Sequence, residues 1–222
     1  MIPRMDSPQS IAVIDFETTG MTPAQGARAT EVAIVRLERG QVVDRFQSLM
    51  KTGVYIPGFI TQLTGITNTM VAAAPDAREV MREAARFVGD TPMVAHNAAF
   101  DSKFWLSELA HAGLGAPQPF ACTVLLSRRL YPQASSPNLG ALVDYHHLPR
   151  TGRAHRALAD AEMAAALLAQ IQHDLRHRWG VGQPTHELLM TLQRCAKPKI
   201  GGLLREWALA HPVQAELLVS SP

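Results

Sequence analysis

The chain has 222 residues, 47% of them hydrophobic, with 21 Lys/Arg against 19 Asp/Glu. Length and composition suit one full domain with a sizeable core plus a smaller appendage, and they exclude a disordered chain. The net charge of +2 excludes a dense basic face that grips nucleic acid indiscriminately.

Residues 10–16 form an apolar run that reads as a buried strand, ending in Asp15, Glu17 and a turn-like Thr18-Thr19-Gly20. Residues 29–37 and 41–50 are rich in Val, Ile and Phe and are joined by Glu38-Arg39-Gly40, which predicts an antiparallel hairpin. A Gly- and Thr-rich connection spans 52–69. A helix is expected from Pro75 to Val88, with Val80, Ala84, Phe87 and Val88 on one face. A strand at 92–95 precedes a helix at 98–112 closed by Gly113, and a strand at 120–123 leads into helical segments. A long Ala/Leu helix covers 156–175.

The cluster of Gly, Gln and Pro at 180–184 marks a boundary. This divides the chain into a first domain at 1–179 and a helical C-terminal extension at 180–222. Within the extension, 185–194 and 200–210 look helical, interrupted by Pro198 and Gly201-Gly202. From residue 172 onward there are six Lys/Arg against four Asp/Glu, so the tail carries the whole excess of +2. A hairpin followed by alternating strands and helices argues for an α/β domain with a mixed sheet.

No apolar run reaches the roughly 18 residues of a membrane helix, and the stretch at 11–14 is too short for a signal peptide, so the expected compartment is the cytoplasm. Cys122 and Cys195 read as small buried side chains rather than a disulfide or a metal knuckle.

Three segments each deliver an acid where one element gives way to the next. Asp15 and Glu17, two residues apart on a strand, share a face about 7 Å apart. Two anions ending an apolar run are either solvated turn residues or a site for a divalent cation. In His96-Asn97-Ala98-Ala99-Phe100-Asp101, Asn97 is placed to cap a helix, with Asp101 in its first turn. In His155-Arg156-Ala157-Leu158-Ala159-Asp160, the spacing lets His155 and Asp160 reach a common point beyond the helix start.

Phosphodiester hydrolysis uses such a set. Two divalent ions roughly 3.5 to 4 Å apart prefer carboxylate oxygen, and a histidine, with an ordinary pKa of about 6.5, suits removal of a proton from water near neutral pH.

With these residues in hand, the chain resembles the DEDD exonucleases whose third motif carries a histidine, the group that contains the proofreading subunit of bacterial DNA polymerase III. Asp15 through Gly20 is similar to the first motif, His96 through Asp101 to the second, and His155 through Ala161 to the third. Leu63-Thr64-Gly65-Ile66-Thr67, Cys122-Thr123 and Arg128-Arg129-Leu130-Tyr131-Pro132 match intervening stretches, and the resemblance covers about residues 10–170.

The resemblance implies a ribonuclease-H-like mixed sheet flanked by helices and a metal-dependent 3′→5′ exonuclease. It implies two Mg²⁺ or Mn²⁺ ions held by Asp15, Glu17, Asp101 and Asp160, with His155 as general base. Thr18, Met21, Leu63 and Phe100 match positions near the terminal nucleotide, with core packing as the other reading of Met21 and Phe100. Gly65, lacking a side chain, lets a loop approach the substrate closely. His96 and Asn97 shape the site. Lys103 stands where an apolar residue is expected and either reaches a phosphate or faces water.

The implied partner is nucleic acid, single-stranded DNA being favoured and RNA possible. A DNA polymerase or a sliding clamp is a further candidate, with the segment at 214–219 faintly similar to a clamp-binding peptide and otherwise readable as packing. The competing function is a catalytically silent nucleic-acid- or polymerase-binding module of the same fold, or an exoribonuclease that trims RNA ends.

Overall fold

The computed structural model describes residues 10–212. Five strands, β1 (Ile11–Thr18), β2 (Ala29–Glu38), β3 (Gln41–Leu49), β4 (Met93–Ala95) and β5 (Phe120–Cys122), form one sheet ordered β3-β2-β1-β4-β5. The pairs β1–β2 and β2–β3 are antiparallel, whereas β4 runs parallel to β1 and β5 parallel to β4. The mixed sheet is the one the sequence predicts.

Strand β1 runs two residues further than its apolar run, because the acids keep pairing with β2. Glu17 lies opposite Glu31, and the register slips only between Glu17 and Thr18. The β2–β3 turn places Arg39 at φ 51° and Gly40 at φ 77°, the left-handed pair that a two-residue hairpin turn requires.

The helices are α1 (Gly58–Thr64), α2 (Asn68–Ala72), α3 (Ala77–Val88), α4 (Ala98–His111), α5 (Thr123–Leu130), α6 (Leu139–Tyr145), α7 (Ala157–Trp179), α8 (His186–Leu192) and α9 (Ile200–Ala210). Alternation along β1 divides the core into two layers. Ala12, Ile14 and Phe16 pack with Val80, Met81 and Ala84 of α3 and with Phe104, Trp105 and Leu109 of α4. Ile11 and Val13 pack instead with Ala161, Ala164, Ala165 and Leu168 of α7. Asp15 and Glu17 continue this second series, so they belong to the α7 side.

The Gly- and Thr-rich connection at 52–69 holds α1 and the start of α2. Gly65 at φ 77° ends α1, and the Thr67 hydroxyl caps α2 by accepting from the Met70 N–H. The Asn68 amide accepts from the Ile56 N–H and donates to the Ile56 carbonyl, closing the segment over a small core of Ile56, Ile66 and Val71. Helix α3 begins at Ala77, capped by Asp76, and buries Met81 beside the expected face, while Phe87 is only partly buried. Helix α7 continues to Trp179 before Gly180, in the left-handed region, caps it.

Beyond 180 the helices share the α7-side core, where Leu188, Leu189, Leu192, Ile200 and Leu204 are buried. Gly201 and Gly202 lie inside the first turn of α9 rather than ahead of it. After α8, the Gln193 side chain accepts from the Cys122 N–H (2.7 Å) and donates to the Phe120 carbonyl (3.3 Å), pairing the free edge of β5 as another strand would. Cys122 is buried and Cys195 half-buried, and both are free thiols. Among the described residues, no helix is long and apolar enough to cross a membrane.

Candidate active site

The parallel strands β1 and β4 end on the same side of the sheet, where α4 and α7 also begin. Pairing of β4 with β1 stops at Ile14, which leaves the next inward N–H of β1 without a strand partner. Buried Asp101, in the first turn of α4, takes it: the Phe16 N–H donates to Asp101 Oδ1 at 3.3 Å. The second motif is thereby fastened to the first.

Asn97 does occupy the N-cap position of α4, but its side chain makes no capping hydrogen bond. It sits instead at φ 77°, ψ 51°, a left-handed conformation that asparagine tolerates and that turns the chain sharply from β4 into the helix. His96 is largely buried beneath it. Its Nδ1 lies 2.9 Å from the Thr123 hydroxyl, and burial lowers its pKa to about 4, against a weaker opposing effect of the Pro137 carbonyl.

The third motif folds back on itself. The His155 N–H donates to Asp160 Oδ2 (3.1 Å), and His155 takes a left-handed φ of 59°. Its exposed imidazole thus lies beside the acids: ligand atoms of Glu17, His155 and Asp160 all fall within 4.8 Å of one another.

A second acid, absent from the sequence reading, holds this loop. Glu31, 1% exposed, accepts from Arg156 Nε (3.1 Å) and Nη2 (2.7 Å), from the Ala157 N–H (3.0 Å) and from Gln47 Nε2 (2.8 Å). It satisfies an orphan donor at the start of α7 and fixes where His155 and Asp160 project. The same arrangement recurs at Glu108 of α4, which accepts from Arg28 Nε (2.9 Å) and Nη2 (2.8 Å) and from the Ala29 N–H (2.9 Å). A signal for Glu31 existed: it is the only acid in the apolar run 29–37, and a buried acid needs a cation. Glu108 gave no comparable signal.

Electrostatics single out the acids that lack such a cation. Burial, then the charges of Asp101, Asp160, Glu17 and Glu31, hold the Asp15 carboxyl well above the usual range. Burial and the neighbouring Asp160 and Glu31 push Glu17 up to about 8, despite Arg156 nearby. Asp101 is raised mainly by burial, and so is Asp160, against the opposing pull of the His155 backbone and ring. This donor set fits divalent metal: hard oxygen ligands crowded at one place, with the nearby guanidinium already engaged by Glu31.

The four expected nucleotide contacts are placed differently from one another. Met21, just after β1, is 77% exposed, and Leu63 of α1 is 47% exposed. Phe100 is half-buried, its ring 4.9 Å from that of Phe104. Thr18 is buried and its hydroxyl donates to the Gly20 carbonyl at 2.7 Å. Lys103 faces water. A side chain on Gly65 would meet the Arg153 guanidinium, whose Nη1 lies 2.7 Å from the position of a Cβ. The close approach at Gly65 is therefore made by the loop that carries His155. The clamp-like segment at 214–219 lies outside the described residues.

Comparison with known proteins agrees with this geometry. Residues 12–168 match the family model RNase_T, described as Exonuclease. The chain is 33% identical over 174 residues to the DNA polymerase III subunit epsilon of Aquifex aeolicus, covering 78% of this chain and 85% of that protein. It is 34% identical over 178 residues to the PolC-type DNA polymerase III of Halalkalibacterium halodurans, covering 80% of this chain but only 12% of that protein. With the 3′-5′ exonuclease DinG of Bacillus subtilis it shares 37% identity over 169 residues, covering 76% of this chain and 18% of the relative. Among solved structures, exonuclease X in complex with 5′ overhanging duplex DNA superposes with a TM-score of 0.64 at 28% identity, covering 82% of this chain and 99% of that one. The nuclease domain of 3′hExo, a DEDDh family member, shares the fold with a TM-score of 0.65 at 21% identity, covering 76% of this chain and 94% of that one. The chain belongs to the exonuclease family.

Proposed function

We propose that this exonuclease removes nucleotides singly from the 3′ end of a nucleic-acid strand, single-stranded DNA before RNA, using two Mg²⁺ or Mn²⁺ ions. The supporting observation is the convergence of Glu17, His155 and Asp160 within 4.8 Å, beside Asp15 and Asp101. Asp15, Glu17 and Asp160 would hold one ion, and Asp15 with Asp101 the other. When bound, such ions neutralise the charge that builds on the phosphate and the leaving oxygen.

The rest is done by side chains. A ring nitrogen of His155 accepts the proton of the attacking water, while the bond from its own N–H to Asp160 fixes the loop that presents the ring. Met21 and Leu63 offer exposed apolar surface to the terminal base, and Phe100 and Thr18 support the segments around them. An unpaired end is favoured because the last nucleotide must leave its neighbour to enter. The likeness to an epsilon subunit makes a DNA polymerase the first partner to test.

The test is a panel of DNA and RNA strands labelled at the 5′ end, single- and double-stranded, incubated with Mg²⁺, Mn²⁺ or EDTA. Stepwise shortening that requires metal and disappears in Asp15→Ala is the expected result. Undiminished shortening in EDTA, or in Asp15→Ala, would overturn the reading.

A further inference from the structure

An open cavity of about 310 Å³ runs beside the edge strand β5, between the first turn of α4 and helix α5. Asn97 and Ser102 line one side, Val124, Leu125 and Arg128 the other, with Gln193 closing the edge. One of its lining residues, Ser102, directly follows Asp101 in α4. Arg128 also borders a second cavity, which Lys197 lines.

The basic stretch Arg194-Cys195-Ala196-Lys197-Pro198-Lys199 is fastened alongside, because Arg129 Nε donates to the Cys195 carbonyl at 2.8 Å. Arg128, Arg194, Lys197 and Lys199 are all exposed. Among the described residues none of the four has a carboxylate partner. The chain contains no Asp or Glu from Leu109 to Val143, nor from Leu188 to Arg205. Helix α5 and the segment 188–205 therefore carry only positive charge, whereas the α4 side of the cavity also carries Asp101 and Glu108, both buried.

Resting on the exonuclease reading above, we propose that this groove holds the single strand upstream of the nucleotide being removed, and that Arg128 and Lys197 bind its phosphates. Apolar walls for bases beside unpaired cations for the backbone are the chemistry of sequence-independent single-strand binding. The C-terminal helices then have a second task besides packing: they deliver the basic stretch to the path of the substrate.

The experiment compares wild type with Arg128→Ala, Lys197→Ala and the double variant on a dinucleotide and on a single-stranded oligonucleotide of about a dozen residues. Each is assayed over a range of salt concentrations. The advantage in KM of the longer strand over the dinucleotide should shrink by about fivefold or more in the double variant, and the slope of log KM against log salt should fall by about 0.7 for each cation removed. Arg128→Lys should keep the slope. Removal of the exposed Arg78 on α3 serves as the control for charge loss elsewhere. An unchanged length advantage and salt slope in the double variant would overturn the proposal, including when a peptide partner is found to bind the groove instead. Should the double variant unfold, Arg128→Glu alone is decisive on the same readouts. Wild-type protein inactive on every strand would sink the exonuclease reading itself, an outcome separable from failure of the groove.

Discussion

Glu17 and Glu31 lie directly opposite one another on β1 and β2, and their surroundings send them in opposite directions. Glu31 receives the fork of Arg156 and the Ala157 N–H, and its carboxyl is held below the usual range although burial acts against this. Glu17, facing Asp160 and Glu31, is pushed up to about 8. One acid is a structural anchor with its cation built in. Its neighbour is left short of positive charge, the condition in which a carboxylate binds metal.

Glu31→Ala should therefore damage both stability and catalysis. Removing one partner of a buried pair costs about 3–5 kcal/mol, and the lower end applies because Arg156 is a third exposed. The start of α7 loses its anchor as well, so kcat should fall with little change in KM. Urea unfolding and steady-state kinetics check this. A variant as stable as wild type would show that Glu31 does not hold α7.

Asp15→Asn should abolish strand shortening while making the metal-free protein more stable at pH 8. Its carboxyl is raised by burial and by the charges of Asp101, Asp160, Glu17 and Glu31, so a neutral amide relieves repulsion. Melting curves in EDTA, with metal titrated calorimetrically alongside, test both halves. A lower melting temperature in EDTA would contradict the electrostatic account.

Stability without metal should fall as pH rises from 6.5 to 8. Glu17, with a folded pKa of about 8 against an ordinary 4.5, keeps its proton in the folded chain after the unfolded chain has released it. Stability is consequently lost between those values. Asp15, Asp101 and Asp160, all raised, act with the same sign. His96, lowered from 6.5 to about 4, acts oppositely, its contribution being lost as pH falls through that window, so above 6.5 only the carboxylates act. Saturating Mg²⁺ should flatten the slope. Denaturant midpoints at the two pH values, with EDTA or with Mg²⁺, decide the point.

His155→Ala should lower kcat by about 10²- to 10⁴-fold, as expected for loss of a general base. Metal affinity should persist, because four carboxylates remain. Loss of metal binding with loss of activity would instead make His155 a ligand.

Gly65→Ala should destabilise the protein by about 1–2 kcal/mol, since an alanine at φ +77° is strained. It should also displace Arg153, whose guanidinium occupies the space of the missing side chain, and so loosen the loop ahead of His155. Adding Arg153→Ala should recover only the part of the loss due to the clash, which a double-mutant cycle measures.

The strands, the long helix and the carboxylates of the three motifs were legible in the sequence because each rests on local pattern. Apolar runs mark β1 and β2, caps and glycines mark helix ends, and acids at the ends of elements mark Asp15, Glu17, Asp101 and Asp160. What the sequence alone could not decide depends on residues far apart in the chain. The Glu31–Arg156 pair spans 125 positions and the Asp101–Phe16 bond 85. Gly65 faces Arg153, and Gln193 closes β5, only because the sheet brings them together. Periodicity records which side of an element is buried, but not which element covers it. The sequence determined which acids and which histidine the candidate site holds. Tertiary structure decided which acids have a cation, which lack one, and that the basic stretch at 194–199 lies against α5, through the bond from Arg129 to the Cys195 carbonyl.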